Sequence, residues 1–167
     1  KDIRGNVGTR LRKLEEENFD ALVLAAAGLL RLGMEERISS YFSPSILLPA
    51  VSQGVLGIEV CSTNKPVKAL IEPLTDSHTL FCVSAERALN KRLGGDCHVP
   101  LAAYAEIDQA KLRLRALVGK LDGSEMLTVS EEAEPDQAIA LGTRLAEDLL
   151  EQGAAEILQA ARDKNAG

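Results

Sequence analysis

Apolar residues recur along this chain with two periods, and the places where one gives way to the other divide it into elements. After Asn6, whose side chain suits a helix N-cap, Val7, Leu11 and Leu14 fall at helical spacing and end in the acidic run Glu15-Glu16-Glu17. This predicts an amphipathic helix of about three turns. Phe19 to Leu24 is a short apolar run that reads as a buried strand, and Ala25 to Leu32 reads as a second helix closed by Gly33. Helix, strand, helix in succession implies a parallel or mixed sheet, with ligands bound beyond the carboxyl ends of its strands.

Tyr41 to Pro49 contains two prolines and no period, which marks a connection. Val55 to Cys61 is apolar nearly throughout, as in a strand buried on both faces, and this places Cys61 in a core. A short helix from Pro66 to Leu74 follows. A longer one starts at Thr75 or Asp76, with Phe81, Cys82, Ala85, Ala88, Leu89 and Leu93 on its apolar stripe and Lys91 and Arg92 in its last turn. Three strand-like runs come next: Val99 to Ile107, Leu112 to Val118 and Met126 to Val129, with Asp122-Gly123 as a turn between the last two. In the middle run Leu112, Leu114, Ala116 and Val118 alternate with Lys111, Arg113, Arg115 and Leu117, so one sheet face is buried. Ala138, Leu141, Leu145 and Leu149 resume the helical period, Gly153 interrupts it, and Ile157, Leu158 and Ala161 carry a last helix. Residues 75–167 thus read as an α+β domain behind an α/β one.

Composition narrows the function. A net charge of -6 over 167 residues argues against a nucleic-acid or anionic-membrane partner. No stretch is long and apolar enough for a membrane-spanning helix. Charge is uneven, however: Lys1, Arg4, Arg10, Arg12 and Lys13 open the chain against the single acid Asp2, whereas residues 131–167 hold nine acids and three bases. A basic corner in an acidic chain suits a small anionic ligand. Three widely spaced cysteines, Cys61, Cys82 and Cys97, match neither a disulfide framework nor zinc-ligand spacing, so no metal is expected and a reducing cytoplasm is the expected location. The chain has no initiator Met and no signal-peptide pattern, and is expected to begin within a longer protein.

The stretch Leu93-Gly94-Gly95-Asp96-Cys97-His98-Val99-Pro100 puts a thiol where helix gives way to strand. Gly94 and Gly95 permit positive φ and leave room beside whatever Cys97 carries. Taken alone, this stretch is also read as a helix C-cap followed by a small apolar residue at a strand start. Asp96 and the preceding helix C-terminus disfavour a thiolate, so Cys97 is a poor redox nucleophile that can still capture a strong electrophile once.

Five segments together carry a resemblance: Arg4-Gly5-Asn6-Val7-Gly8-Thr9-Arg10, Ala27-Gly28-Leu29-Leu30-Arg31-Leu32-Gly33, Leu48-Pro49-Ala50-Val51-Ser52-Gln53-Gly54, Ala85-Glu86-Arg87 and Gly95-Asp96-Cys97-His98-Val99-Pro100. In that order they resemble the porphobilinogen deaminases, or hydroxymethylbilane synthases, from end to end of the chain. The resemblance implies a transferase of tetrapyrrole and heme biosynthesis that joins four porphobilinogen units head to tail, releases ammonia and yields hydroxymethylbilane. Its cofactor is a dipyrromethane joined through a thioether to the cysteine that matches Cys97. Arg4, Arg10 and Arg31 match arginines that hold the acetate and propionate groups of the pyrrole chain, and Asn6, Gly28, Gln53 and Gly54 match further cofactor contacts.

The same resemblance implies a partial periplasmic-binding-protein-like α/β domain followed by a C-terminal α+β domain with a three-stranded antiparallel sheet. Residues 1–48 would be the later half of domain two, 49–74 a crossover and return to domain one, and 75–167 domain three with the cofactor cysteine. The partners implied are porphobilinogen, the lengthening pyrrole chain and a companion N-terminal segment of the same enzyme, itself monomeric, with no nucleic acid and no membrane. The family's catalytic aspartate has no match in residues 1–167, so no catalytic residue is assigned and these residues alone are expected to be inactive. Here Asp96 also separates the glycine pair from the cysteine, where the family commonly has Gly-Gly directly before it. Two other readings compete: a non-catalytic anion-binding α/β module, and a thiol enzyme, for which neither His78 nor His98 has a triad context.

Overall fold

A computed structural model describes residues 3–95 and 99–165, and they fall into two units, Lys1–Phe42 and Ser43–Gly167. The first is helical. Asn6 Oδ1 accepts the Thr9 amide at 2.8 Å and starts α1, Val7–Glu16, which buries Leu11. A six-residue helix α2, Ala26–Arg31, buries Leu29 and ends at Gly33 with φ +66. Gly28 faces Val7, since a Cβ at Gly28 would stand 3.5 Å from Val7 Cγ2.

The expected strand Phe19–Leu24 is not formed: the backbone from 19 to 25 is irregular. Val55–Cys61 is likewise irregular, so Cys61 is exposed, not in a core. The reason is shared. A strand is defined by its ladder, and no strand among the described residues pairs with either segment. Cys61 Sγ instead lies 3.1 Å from the Thr63 hydroxyl, which pulls its thiol below the ordinary range. The helix expected over Pro66 to Leu74 forms as α3, Lys65–Ile71, capped by Asn64 Oδ1 on the Val67 amide, followed by a 3-10 turn over Glu72–Leu74.

The C-terminal part of the second unit packs as its pattern predicts. Asp76 caps α4, Ser77–Arg92, accepting the Thr79 amide at 2.7 Å. Strands β1, Leu101–Asp108, β2, Lys111–Gly119, and β3, Met126–Ala133, form an antiparallel sheet in the order β1-β2-β3. β3 runs four residues past its expected end because Ser130 to Ala133 continue the ladder opposite Arg115 to Leu112. One face carries Ala103, Leu112, Leu114, Ala116 and Val118, all essentially buried. Helices α4, α5 (Ala138–Glu151) and α6 (Ala154–Asn165) cover it. The other face is polar and laced with pairs such as Arg113–Glu132 and Arg115–Glu106. Among the described residues, six α-helices and a three-stranded antiparallel sheet agree with the α/β plus α+β class.

Close approach fixes how α4 and α5 meet. A Cβ at Gly142 would fall 2.1 Å from the Ala85 carbonyl oxygen and 2.9 Å from Ala88 Cβ, so only glycine admits this crossing. Arg92 and Glu147 clamp the same pair of helices with bonds of 2.6 and 2.9 Å. No helix among the described residues is long and apolar enough to cross a membrane.

Candidate functional site

The basic corner of the first unit is assembled at one end of α1. Gly5, at φ +128, folds the chain back so closely that a Cβ there would stand 2.8 Å from Thr9 Cγ2. Arg10 Nε donates to the Gly5 carbonyl at 2.8 Å and Lys13 Nζ to that of Arg4 at 3.5 Å, so the turn bearing Arg4 is tied down by two cations of the helix. The Thr9 amide goes to Asn6 Oδ1 and that of Arg10 to the Asn6 carbonyl. The amides of Val7 and Gly8 keep no acceptor among the described residues. Gly28 meets Val7 at this end, and Arg31 stands one turn further along α2, exposed.

Charge pairing separates the cations of this unit into two sets. Arg12 pairs with Glu16, Lys13 with Glu17 and Arg37 with Glu15. Arg4, Arg10 and Arg31 have no carboxylate within ion-pair distance among the described residues. These are the three arginines expected to hold the ligand's carboxylates. A guanidinium always carries its charge and can bind a carboxylate through two parallel N–H donors, which lysine cannot copy.

Gln53 and Gly54 lie in the second unit, in a turn whose shape is imposed. Ser52 has φ +58 and Gly54 φ +83, and the Gln53 amide bonds to the Ala50 carbonyl at 3.0 Å. The turn is held from beneath by Glu86, whose Oε2 accepts the Ser52 amide at 2.6 Å while its Oε1 accepts the Ala105 amide of β1 at 2.8 Å. Glu86 is the one buried charged residue among those described, and burial pushes its carboxyl above the ordinary range while its two N–H donors oppose the shift. Its place on the Ala85-Glu86-Arg87 segment marked a resemblance, but the helical period gave no sign of this bridge. It lies off the expected stripe and breaks the binary pattern. The Pro49 carbonyl accepts the Ala103 amide on the same edge of β1, so the edge strand is covered by the segment that leads to Gln53.

Cys97, with Asp96 and His98, lies outside the described residues. The helix stop before it is described. Gly94, at φ +62, donates to the Lys91 carbonyl at 3.2 Å and Gly95 to that of Asn90 at 2.9 Å, a double-bonded C-terminal motif. Gly95 does not provide open room: a Cβ there would lie 2.1 Å from Asn90 Oδ1 and 2.9 Å from Leu101 Cδ2. At Gly95 itself the space is filled by side chains, while the expected room beside Cys97 falls outside the described residues. Cys82 is half-buried, and burial raises its thiol, as befits a packing residue. No metal-ligating cluster occurs among the described residues.

The chain matches two family models. Residues 1–69 match the porphobilinogen deaminase dipyrromethane cofactor binding domain, and residues 80–151 match the porphobilinogen deaminase C-terminal domain.

Proposed function

The chain belongs to the porphobilinogen deaminase family, whose cofactor is dipyrromethane, and on that premise we propose that it serves the condensation of four porphobilinogen units into hydroxymethylbilane with loss of ammonia. The observation that carries this reading is the set of unpaired guanidiniums. Among the described residues Arg4, Arg10 and Arg31 lack carboxylate partners while Arg12, Lys13 and Arg37 have them, and the ligand is rich in carboxylates. The residues present therefore fit a dipyrromethane: these arginines would hold its acetates and propionates, with Asn6 and Gly28 beside them, Gln53 and Gly54 as further contacts, and Cys97 as the covalent anchor.

When bound, the cofactor supplies a nucleophilic pyrrole carbon and a fixed end on which the product is built. The protein's own contribution is positional. Each charge-assisted bond from a guanidinium contributes roughly 1.5 to 3 kcal/mol. A thioether at Cys97 would remove the entropy cost of rebinding each intermediate. Its sulfur would not exchange as a disulfide does. The residues divide, in this proposal, into the later half of domain two over 1–48, a crossover through domain one over 49–74 and domain three over 75–167. No acid within residues 1–167 is assigned the proton-transfer role, so a companion segment of the same enzyme would supply it. Turnover by a sample shown by mass to hold residues 1–167 alone would overturn that assignment.

The test of the carboxylate assignment is Arg31→Leu in the full-length enzyme. We expect porphobilinogen consumption to fall at least tenfold, in line with the loss of about one charge-assisted bond. Arg12→Leu, which removes a cation already paired with Glu16, serves as the control. Equal effects from the two would contradict the assignment.

A further inference from the structure

Arg162 reaches across from α6 to the end of α4 and closes the turn that precedes the cysteine. Its Nη2 donates to the Gly94 carbonyl at 2.7 Å and to that of Leu93 at 3.3 Å. Both are carbonyls left unused by the helix, at the negative end of its dipole, where a cation is favoured. Arg162 is only partly exposed and has no carboxylate partner among the described residues, so these carbonyls are its bonding partners there. The next carbonyl, of Gly95, accepts Asn90 Nδ2 at 3.3 Å. Three successive carbonyls are thus held by two side chains, one from the helix that ends there and one from 68 residues later. Gly94 and Gly95 are packed into this clamp, since a Cβ at Gly94 would stand 3.3 Å from Arg162 Nη2.

The structure assigns Arg162 as a positioning residue for cofactor attachment: by pinning the Leu93–Gly95 turn to the C-terminal helix, it fixes the point from which the chain departs toward Cys97, two residues on. This inference rests on the reading of Cys97 as the attachment site. In this assignment Arg162 acts through the turn it holds, by its bonds to the Leu93 and Gly94 carbonyls. An ordinary stabilising role would predict that its loss is felt as global unfolding and is matched by loss of the Arg92–Glu147 clamp, which joins α4 to α5 one turn away without touching the three carbonyls.

The experiment compares full-length wild type, Arg162→Ala, Arg162→Lys and the control Arg92→Ala. Hydrogen exchange at the amides of residues 93–95 reads the anchor. The fraction of Cys97 carrying a two-pyrrole mass increment, after apoenzyme is given porphobilinogen for a fixed time, reads its consequence. For Arg162→Ala we expect exchange to quicken and loading to slow by roughly three- to tenfold each, the factor one net hydrogen bond supplies. Arg162→Lys should fall between, since an ammonium can reach one carbonyl, and Arg92→Ala should match wild type in both. Arg162→Ala indistinguishable from Arg92→Ala in exchange and loading would overturn the inference, and should Arg162→Ala not fold, the same comparison with Arg162→Lys decides it. Wild-type Cys97 that never gains the increment would overturn the attachment reading instead, while exchange at 93–95 still tests whether Arg162 anchors the turn.

Discussion

Residues before and after position 75 have comparable apolar runs but opposite fates. After it lie twenty of the twenty-two buried apolar side chains among the described residues; before it lie only Leu11 and Leu29. The large exposed apolar side chains reverse the ratio, twelve before and four after, with Ile46 at 75%, Leu56 at 80% and Leu70 at 76% accessible. Patterning alone therefore does not bury a side chain. Leu112 to Val118 is buried because β1 and β3 pair with it and three helices cover it, whereas Val55 to Val60 has neither ladder nor cover among the described residues. In the full-length enzyme of our proposal, the companion segment would supply both.

The widest separation between the two regions should appear on truncating leucines. Leu114→Ala and Leu141→Ala, each at a fully buried site, are expected to cost roughly 2 to 5 kcal/mol in denaturant unfolding, against less than about 0.5 for Leu56→Ala in the same 167 residues. Similar losses at Leu56 and Leu114 would break the contrast.

Glycines sharpen it next. Gly142→Ala drives a Cβ into the Ala85 carbonyl and is expected to cost about 1 to 3 kcal/mol or more. Gly33→Ala meets no atom within 4 Å and should lose only the left-handed backbone penalty of about 1 to 2 kcal/mol. Thermal unfolding of the two variants measures the difference.

Glu86 joins the two regions, and its titration gives a signed test. Burial raises its carboxyl in the folded state, so that state holds the proton to higher pH than the unfolded chain. Its contribution is then greatest below the ordinary glutamate value of about 4.3 and is lost as pH rises through the raised folded value. The stability of wild type relative to Glu86→Gln should accordingly decline with rising pH just above that point. A relative stability that grows with pH there would mean that the two amide donors outweigh burial.

The smallest effect belongs to the outer sheet face. Arg113→Ala removes an exposed pair with Glu132 and should change stability by no more than about 1 kcal/mol. Denaturant midpoints read this directly.

Where the sequence was legible, the partners lie close along the chain. Asn6 and Asp76 cap the helices their positions predict, the alternation of β2 identifies its buried face, and Gly94 ends α4. What stayed hidden depends on distant partners. Phe19–Leu24 and Val55–Cys61 look like strands because apolar runs do, but a ladder needs a neighbour that a local pattern cannot report. Glu86 and Arg162 were missed for a related reason: each bonds backbone groups far away in sequence, Ser52 and Ala105 for one, Leu93 and Gly94 for the other. Arg4 and Arg10 stood out as part of the basic corner, but Arg31 was tied to the same ligand only through the resemblance, and the structure adds that these three are the first unit's arginines with no carboxylate partner among the described residues.

The covalent anchor is the centre of the functional account, and the denatured intact mass of the full-length enzyme, followed by peptide mapping across residues 93–111, tests it most directly. The account predicts an increment of two linked pyrrole units on the peptide containing Cys97, lost in Cys97→Ser. An unmodified Cys97 in enzyme that turns over porphobilinogen, or the increment on Cys61 or Cys82, would contradict it.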